Sequence, residues 1–134
     1  MADLFRAAEA GNLGALRKHL RAGKDCNTQT RSTKATPLIW ATRKQRVRAV
    51  KLLLKCEGID PDIQDSNGNT ALHYACRNKD ATVAGLLIGA GANVNYGLYG
   101  RLPLLAAAAK GHIEIVKVLI DARANVNQTF IGFN

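Results

Sequence analysis

A similar triplet recurs three times in this chain at nearly constant spacing. The triplets are Thr36-Pro37-Leu38, Thr70-Ala71-Leu72 and Leu102-Pro103-Leu104, separated by steps of 34 and 32 residues. Each is followed by an Ala-containing segment, an aliphatic run and a Gly or Asn turn. A period of this length is typical of stacked supersecondary units rather than of one globular core. Because such arrays present a long surface to a partner, the repeat favours binding over chemistry.

Each unit is predicted to form a pair of short helices. In the third unit, turn-forming residues at 65–69 precede Thr70, whose hydroxyl is suited to cap a helix. Apolar residues at helical spacing then predict a second helix from Thr82 to Gly89, which Gly91 ends in a left-handed conformation. In two other units, Pro37 and Pro103 stand at the first helical position, where a missing N–H costs nothing.

The pattern resembles the ankyrin repeat, in which a G-x-T-P-L-H-x-A-A run is followed by G-H-x-E-I-V. The fourth unit carries Gly111-His112-Ile113-Glu114-Ile115-Val116, and the second carries Thr36-Pro37-Leu38-Ile39-Trp40-Ala41. The resemblance covers about residues 3–128. It implies an all-α fold, an ankyrin-repeat solenoid of about four stacked helix–turn–helix units with β-hairpin or turn fingers. The units are expected at 3–29, 30–64, 65–96 and 97–128, within an ankyrin repeat domain over 1–128.

Several positions depart from the family pattern. Lys34 stands where the glycine of the finger is expected, and Gln45-Arg46 replaces Gly-His. Arg123 replaces the glycine that ends the last helix, which puts the order of that turn in question.

The end of the chain has the pattern of an interrupted array. Residues 129–134 align with 97–102 at a step of 32, so they are expected to start a truncated fifth repeat. The fourth unit keeps apolar residues such as Ile113 and Ile120, although end units normally carry a polar outer face. We therefore expect either a piece of a longer array or a covered face, for example by self-association through this unit.

Positive charge is concentrated in the first two units. The chain carries a net charge of +9. Residues 1–57 contain 13 Lys and Arg against 4 Asp and Glu, whereas residues 58–134 contain 6 of each. The charge favours a protein partner with an acidic or mixed surface. It leaves open a polyanion or nucleic acid bound by the basic half, although no nucleic-acid-binding motif is present.

The three cysteines, Cys26, Cys56 and Cys76, form no CxxC pair. A disulfide framework or zinc site is therefore not expected, and the cysteines are interpreted as small core residues in a reducing compartment. Residues 1–6 lack the basic start and apolar stretch of a secretory signal, and no uninterrupted apolar stretch is long enough to span a bilayer. An intracellular protein, cytoplasmic or nuclear, is expected, with neither membrane nor cofactor.

The family resemblance places the partner on the finger tips and on the exposed positions of the first helices, which form a concave face. A basic ladder is defined there by Arg43, Lys44, Arg77 and Lys110. The complete set of candidate partner-binding residues is Trp40, Arg43, Lys44, Tyr74, Arg77, Asn78, Tyr99, Arg101 and Lys110. Arg and aromatic side chains are frequent interface anchors. The alternatives are a solvated face for the ladder and partly buried packing for the two aromatic residues Trp40 and Tyr74.

A second basic stripe, Arg48, Lys51 and Lys55, lies on the second helix of unit two, and solvation is its expected role. His73 and Cys76 share a helix face, but a nucleophilic site would also need an acid and an oxyanion donor. The resemblance gives His73 a structural role. No enzyme is predicted within these residues, although the chain could be the targeting domain of a longer multidomain enzyme.

Overall fold

A computed structural model describes residues 3–96 and 103–122. Within them the chain forms eight helices in four consecutive pairs. The helices are α1 (Leu4–Ala10), α2 (Leu13–Arg21), α3 (Pro37–Arg43), α4 (Val47–Leu54), α5 (Ala71–Ala75), α6 (Thr82–Gly89), α7 (Pro103–Ala109) and α8 (Ile113–Asp121). None of these helices has the length and apolar character that a bilayer-spanning segment needs.

The four pairs stack in two parallel rows. Helices α1, α3, α5 and α7 contact one another in sequence and form the inner row, while α2, α4, α6 and α8 form the outer row. Each inner helix also packs against the outer helix that follows it. The predicted all-α solenoid is therefore confirmed.

The fingers between the pairs are turns, and no β-strand occurs in the described residues. One finger closes through Thr30 N–H to the Ala35 carbonyl at 3.0 Å, and the next through Asp65 N–H to the Asn69 carbonyl at 2.9 Å. The Ser66 N–H donates to the Thr33 carbonyl at 2.8 Å and joins the two fingers. Residues 97–102 and 123–134, with the predicted fifth repeat and Arg123, lie outside the described part of the chain.

Helix starts follow the predicted capping residues. The Thr36 hydroxyl accepts a hydrogen bond from the Ile39 N–H at 3.2 Å, and Pro37 occupies the first turn of α3. Thr70 caps α5, and the His73 imidazole Nδ1 accepts from the Thr70 N–H at 3.1 Å, which completes a capping box. Because His73 is buried in this arrangement, its structural role is supported.

Both rows contribute small and large aliphatic side chains to the core. The inner helices bury alanines, including Ala8, Ala41 and Ala107, whose small side chains let neighbouring helices approach closely. The outer helices bury one leucine each at a corresponding place: Leu16, Leu53, Leu87 and Leu119 are all fully buried. The interfaces between units are therefore made from aliphatic side chains, which accounts for a chain with only 5% aromatic residues.

Two of the predicted departures preserve the backbone of the repeat. Lys34 has φ 60° where the next finger has Gly68 at φ 79°, and Gln45 has φ 56° where the fourth unit has Gly111 at φ 68°. Left-handed conformations favour glycine, so both substitutions carry a conformational cost. Gly91 has φ 92° and follows Ala90, the C-cap of α6, as predicted.

Candidate partner-binding surface

The basic ladder lies along the C-terminal ends of the inner helices. Arg43 is the last residue of α3 and Lys44 its C-cap, while Arg77 follows the C-cap of α5 and Lys110 follows α7. All four side chains are exposed. Cations are favourable at these ends because unpaired carbonyls give a helix a partial negative charge there. The repeat therefore places one or two cations per unit on the same side of the array, in units two, three and four.

Aromatic rings hold the guanidinium groups of units two and three. The Arg43 guanidinium lies over the Trp40 ring at 5.2 Å from its centroid and over the Tyr74 ring at 5.0 Å. The Arg77 guanidinium lies over the same Tyr74 ring at 5.1 Å. Each such contact is favourable by about 0.5–1 kcal/mol at an exposed site. Trp40, Arg43, Tyr74 and Arg77 thus form one continuous stack that crosses the boundary between two units.

A hydrogen bond to the finger that precedes α5 holds the Tyr74 side chain in place. Its hydroxyl donates a short hydrogen bond to the Asp65 carboxylate Oδ2. The other carboxylate oxygen, Oδ1, accepts from the backbone N–H groups of Asn67 and Asn69 at 2.9 and 3.0 Å. Asp65 and Tyr74 are both buried, at 8% and 9% exposure. One carboxylate therefore joins the finger turn to the ring on which two arginines rest.

The sequence left two roles open for Tyr74 and Trp40, packing or direct contact with a partner. For Tyr74 the burial and the bonded hydroxyl favour packing. Its contribution to the surface is to support the guanidinium groups of Arg43 and Arg77, which stack on its ring. Trp40 is half-buried, and its indole Nε1 is buried with no hydrogen-bond partner in the described residues. Trp40 therefore exposes part of its ring only.

The remaining candidates differ in their placement. Asn78 is half-buried beside Arg77 in the turn that follows α5. Tyr99 and Arg101 lie outside the described residues. The structure thus brings Trp40, Arg43, Lys44, Tyr74, Arg77 and Asn78 together at units two and three, with Lys110 one unit further along.

In the described residues, most cations of the basic ladder have no carboxylate nearby to balance their charge. The single ion pair in residues 3–96 and 103–122 joins Lys44 Nζ to Glu9 Oε1 at 3.9 Å, and both side chains are about half exposed. An exposed pair of this kind contributes about 0–1 kcal/mol. In the described residues, Arg43, Arg77 and Lys110 have no carboxylate within ion-pair distance. Their positive charge is therefore available to an external anionic group.

Sequence reasoning missed two residues that organise this side of the molecule. The sequence predicts only a turn-forming role for Asp65, yet its carboxylate bonds to the tyrosine that supports the arginine stack. Arg46 departs from the histidine of the family pattern, yet its Nε donates to the Glu9 carbonyl at the end of α1 at 3.0 Å. In the fourth unit His112 Nδ1 lies 3.2 Å from the Cys76 carbonyl at the end of α5. The alignment of Arg46 with His112 was the available signal for its structural role.

The second basic stripe lies on the outer row. Arg48, Lys51 and Lys55 are exposed on or just after α4. Arg17 and Arg21 of α2 share a shallow groove with Lys55. These cations rest on no aromatic ring in the described residues, in contrast to the ladder arginines.

The two reactive side chains at α5, His73 and Cys76, are buried in the fold. Burial raises the pKa of the Cys76 thiol to about 12, so it stays protonated at neutral pH and is a poor nucleophile. His73 is occupied by the capping box. No group of three or more His, Cys, Asp or Glu side chains in the described residues is placed to hold a metal ion.

Comparison with known proteins agrees with this architecture. A sequence model described as "Ankyrin repeats (3 copies)" matches residues 4–97 and also residues 57–130. The two matches together extend over nearly the whole chain. They confirm the resemblance seen in the recurring triplets.

Three relatives illustrate where such sequences occur. YahD of Escherichia coli K12, named as an ankyrin repeat protein, is 32% identical over 130 residues, which is 96% of this chain and 64% of YahD. FPV014 of fowlpox virus, named likewise, is 33% identical over 96% of this chain and 29% of its own length. The glycerophosphocholine phosphodiesterase GDE1 of Eremothecium gossypii is 38% identical over 60% of this chain, but only 6% of GDE1 is covered. The chain thus spans less than two thirds of each of these relatives.

Proposed function

The chain belongs to the ankyrin repeat family, and we propose that it is a non-catalytic module that binds another protein along its basic ladder. Ankyrin repeat proteins generally mediate protein–protein interactions and are typically non-catalytic. The match to GDE1 involves a small part of that protein, so the likeness concerns the repeats. The partner surface is acidic or mixed, because the ladder has few carboxylates of its own.

The observation that carries this proposal is the shared support of two unpaired arginines. Arg43 and Arg77 belong to adjacent units and rest on one Tyr74 ring at 5.0 and 5.1 Å. The ring is itself held by the buried Asp65 carboxylate. No carboxylate in the described residues pairs with either guanidinium.

Such support lowers the entropic cost of binding. Ordering a long side chain at an interface costs about 0.5–1.5 kcal/mol, and an arginine that is already stacked loses less on binding. Its planar group offers five N–H donors suited to bidentate contact with carboxylates. Two prealigned guanidinium groups therefore favour a partner that presents carboxylates at a matching spacing, and their charge increases the association rate.

The test compares two charge reversals within unit two. A fluorescently labelled oligoglutamate peptide serves as the acidic probe, and its binding is measured by anisotropy. R43E/K44E alters the ladder, and R48E/K51E alters the outer helix by the same amount of charge. We expect the ladder variant to bind about tenfold more weakly and the outer variant to stay within about twofold of wild type.

Equal weakening by both variants would show that net charge alone governs binding, and would overturn the placement on the ladder. Circular dichroism and thermal unfolding of both variants establish that the helices are retained. Tyr74→Phe offers a subtler check: it keeps the ring and removes the hydroxyl bonded to Asp65. If stacking on a fixed ring matters, this variant binds more weakly while its net charge is unchanged.

A nucleic acid is the competing ligand, and the salt dependence of its binding distinguishes it from an acidic protein partner. Neutralising roughly five phosphates makes log K fall with log salt at a slope near −4. A single-stranded oligonucleotide that binds more tightly than the acidic peptide, with such a slope, would favour a polyanion. We expect the peptide to bind more tightly.

Two further parts of the proposal concern context. One is a reducing, intracellular compartment, cytoplasmic or nuclear, which we expect because three cysteines without a CxxC pair do not form a disulfide framework.

The other is self-association through unit four. On α8, Ile113 and Ile120 are 66% and 53% exposed, which supports a covered outer face in that unit. Light scattering of wild type and I113E/I120E tests it: concentration-dependent dimers that the variant loses would support self-association, and a monomer at all concentrations would refute it.

A further inference from the structure

Two cysteines that are distant in the sequence meet at the boundary between units one and two. Cys26 lies in the turn after α2, and Cys56 lies just after α4. Three hydrogen bonds join their two segments: Cys26 Sγ contacts the Glu57 carbonyl at 3.9 Å, Asn27 Nδ2 donates to the Gly58 carbonyl at 2.7 Å, and the Asp60 N–H donates to Asn27 Oδ1 at 2.9 Å. These bonds fix Cys26 beside the residue that follows Cys56.

The two thiols share one accessible groove. The groove has a volume of about 490 Å³, and both cysteines line it together with Leu20, Arg21 and Lys24. Each thiol also influences the pKa of the other, as neighbouring ionisable groups do. Cys26 is 6% exposed and Cys56 is half-buried, so a small reagent in the groove reaches Cys56 first. The third cysteine, Cys76, is fully buried in a different part of the core.

We propose that Cys26 and Cys56 are a reversible dithiol–disulfide pair that ties unit one to unit two when a small disulfide oxidant such as oxidised glutathione enters the groove. The Cys56 thiolate attacks one sulfur of the oxidant, forming a mixed disulfide and releasing one glutathione thiolate. The Cys26 thiolate then displaces the second glutathione and forms the intramolecular bond. The two protein thiols are oxidised, the oxidant is reduced to two thiols, and these take up the two protons.

The surroundings set the pH at which this exchange proceeds. Burial, followed by the Asp25 carboxylate, raises the pKa of Cys26, and burial, followed by Cys26 itself, raises the pKa of Cys56. The charged groups that line the groove and its continuation between α2 and α4 are Arg17, Arg21, Lys24, Lys55, Asp25 and Glu57. Because the thiolate is the nucleophile, the pair stays reduced and slow at neutral pH and reacts faster as pH rises.

The bond would alter the stability of the array at the end opposite unit four. It closes a loop between residues 26 and 56, which restricts the unfolded chain. A cross-link of this length raises the unfolding temperature by about 5–10 °C in a domain of this size. The basic ladder lies on the inner row, so binding of the acidic probe at fixed temperature stays unchanged.

The experiment treats the intact protein with oxidised glutathione at several pH values. After alkylation of the remaining thiols, peptide mass mapping of the wild type identifies the bonded cysteines without recourse to a variant. We expect a Cys26–Cys56 cross-linked peptide, faster formation at higher pH, and a rise in unfolding temperature that dithiothreitol reverses. Cys26→Ala and Cys56→Ala abolish that rise, whereas Cys76→Ala keeps it.

Each other outcome overturns the proposal. These are a stable glutathione adduct on Cys56 alone, a bond that includes Cys76, a covalent dimer, or no reaction at alkaline pH. The acidic-probe assay is run on the same samples. Loss of probe binding by the oxidised form would refute the separation of the two faces, while failure of the wild type to bind the probe would concern the proposed function only.

Discussion

Units two and four form the same left-handed turn between their helices with different residues. Between its helices, unit four uses Gly111 at φ 68° and then His112, which contacts the Cys76 carbonyl of the preceding unit. Unit two uses Gln45 at φ 56° and then Arg46, which donates to the Glu9 carbonyl of the preceding unit. The array therefore requires a left-handed turn and a side chain that reaches back one unit. It does not require glycine and histidine as such.

The same two units differ in charge. Unit two carries exposed cations on both rows, including Arg43 and Lys51, whereas α8 in unit four carries Glu114 and Asp121 beside Lys117. The buried leucine of the outer helix is retained in both, at Leu53 and Leu119. The buried leucine is thus retained by packing in both units, while the exposed positions differ in charge.

The largest expected effect comes from the buried leucine that the outer helices of both units share. Leu53→Ala deletes a fully buried side chain between α2, α3 and α6 and should lower the free energy of unfolding by about 3 kcal/mol. Ile120→Ala in unit four removes a similar volume from an exposed position and should cost less than about 0.5 kcal/mol. Urea unfolding measures both. Similar costs at the two sites would contradict the assigned core.

The next effect concerns the left-handed turn of unit four. Gly111→Gln installs the residue type of unit two at φ 68° and should destabilise the protein by about 1 kcal/mol. An added Cβ at Gly111 meets no atom within 4 Å, so the cost is conformational rather than steric. Gly111→Asn is the control, since asparagine tolerates this conformation better and should cost less in the same urea titration.

A comparable effect should follow loss of the contact between units one and two. Arg46→Ala removes the hydrogen bond to the Glu9 carbonyl and should lower the unfolding free energy by about 1 kcal/mol. Arg46→His introduces the residue of unit four and should recover part of this loss. If Arg46→His is no more stable than Arg46→Ala in thermal unfolding, the two side chains are not interchangeable and the comparison fails.

The smallest effect is a gain. Gln45→Gly relieves the left-handed strain in unit two but frees the unfolded chain, so the net stabilisation should be about 0.5 kcal/mol. Gln45→Ala keeps a Cβ at the same φ and should give no gain. A destabilised Gln45→Gly variant would indicate that the glutamine side chain makes a contribution larger than the strain.

Much of the fold could be predicted because its signals are local. The cap at Thr70, the proline at the start of α3 and the helix over Thr82–Gly89 depend on residues a few positions apart. The period then implied that the pairs stack. The candidate surface was predicted less completely: Arg43 and Arg77 were found from their repeat positions, but the support from Asp65 and the burial of Tyr74 were not.

The helix pairs, their period, the leucine and alanine positions of the core and the uneven charge can be deduced from the sequence, because composition or spacing within one unit sets each of them. Three other features emerge only when the units stack: Arg43 and Arg77 share one ring, Arg46 takes over a role that His112 has in unit four, and Cys26 and Cys56 line one groove. These contacts join side chains about one repeat apart. They depend on the offset between stacked units, which packing of the whole array fixes to within a few ångströms.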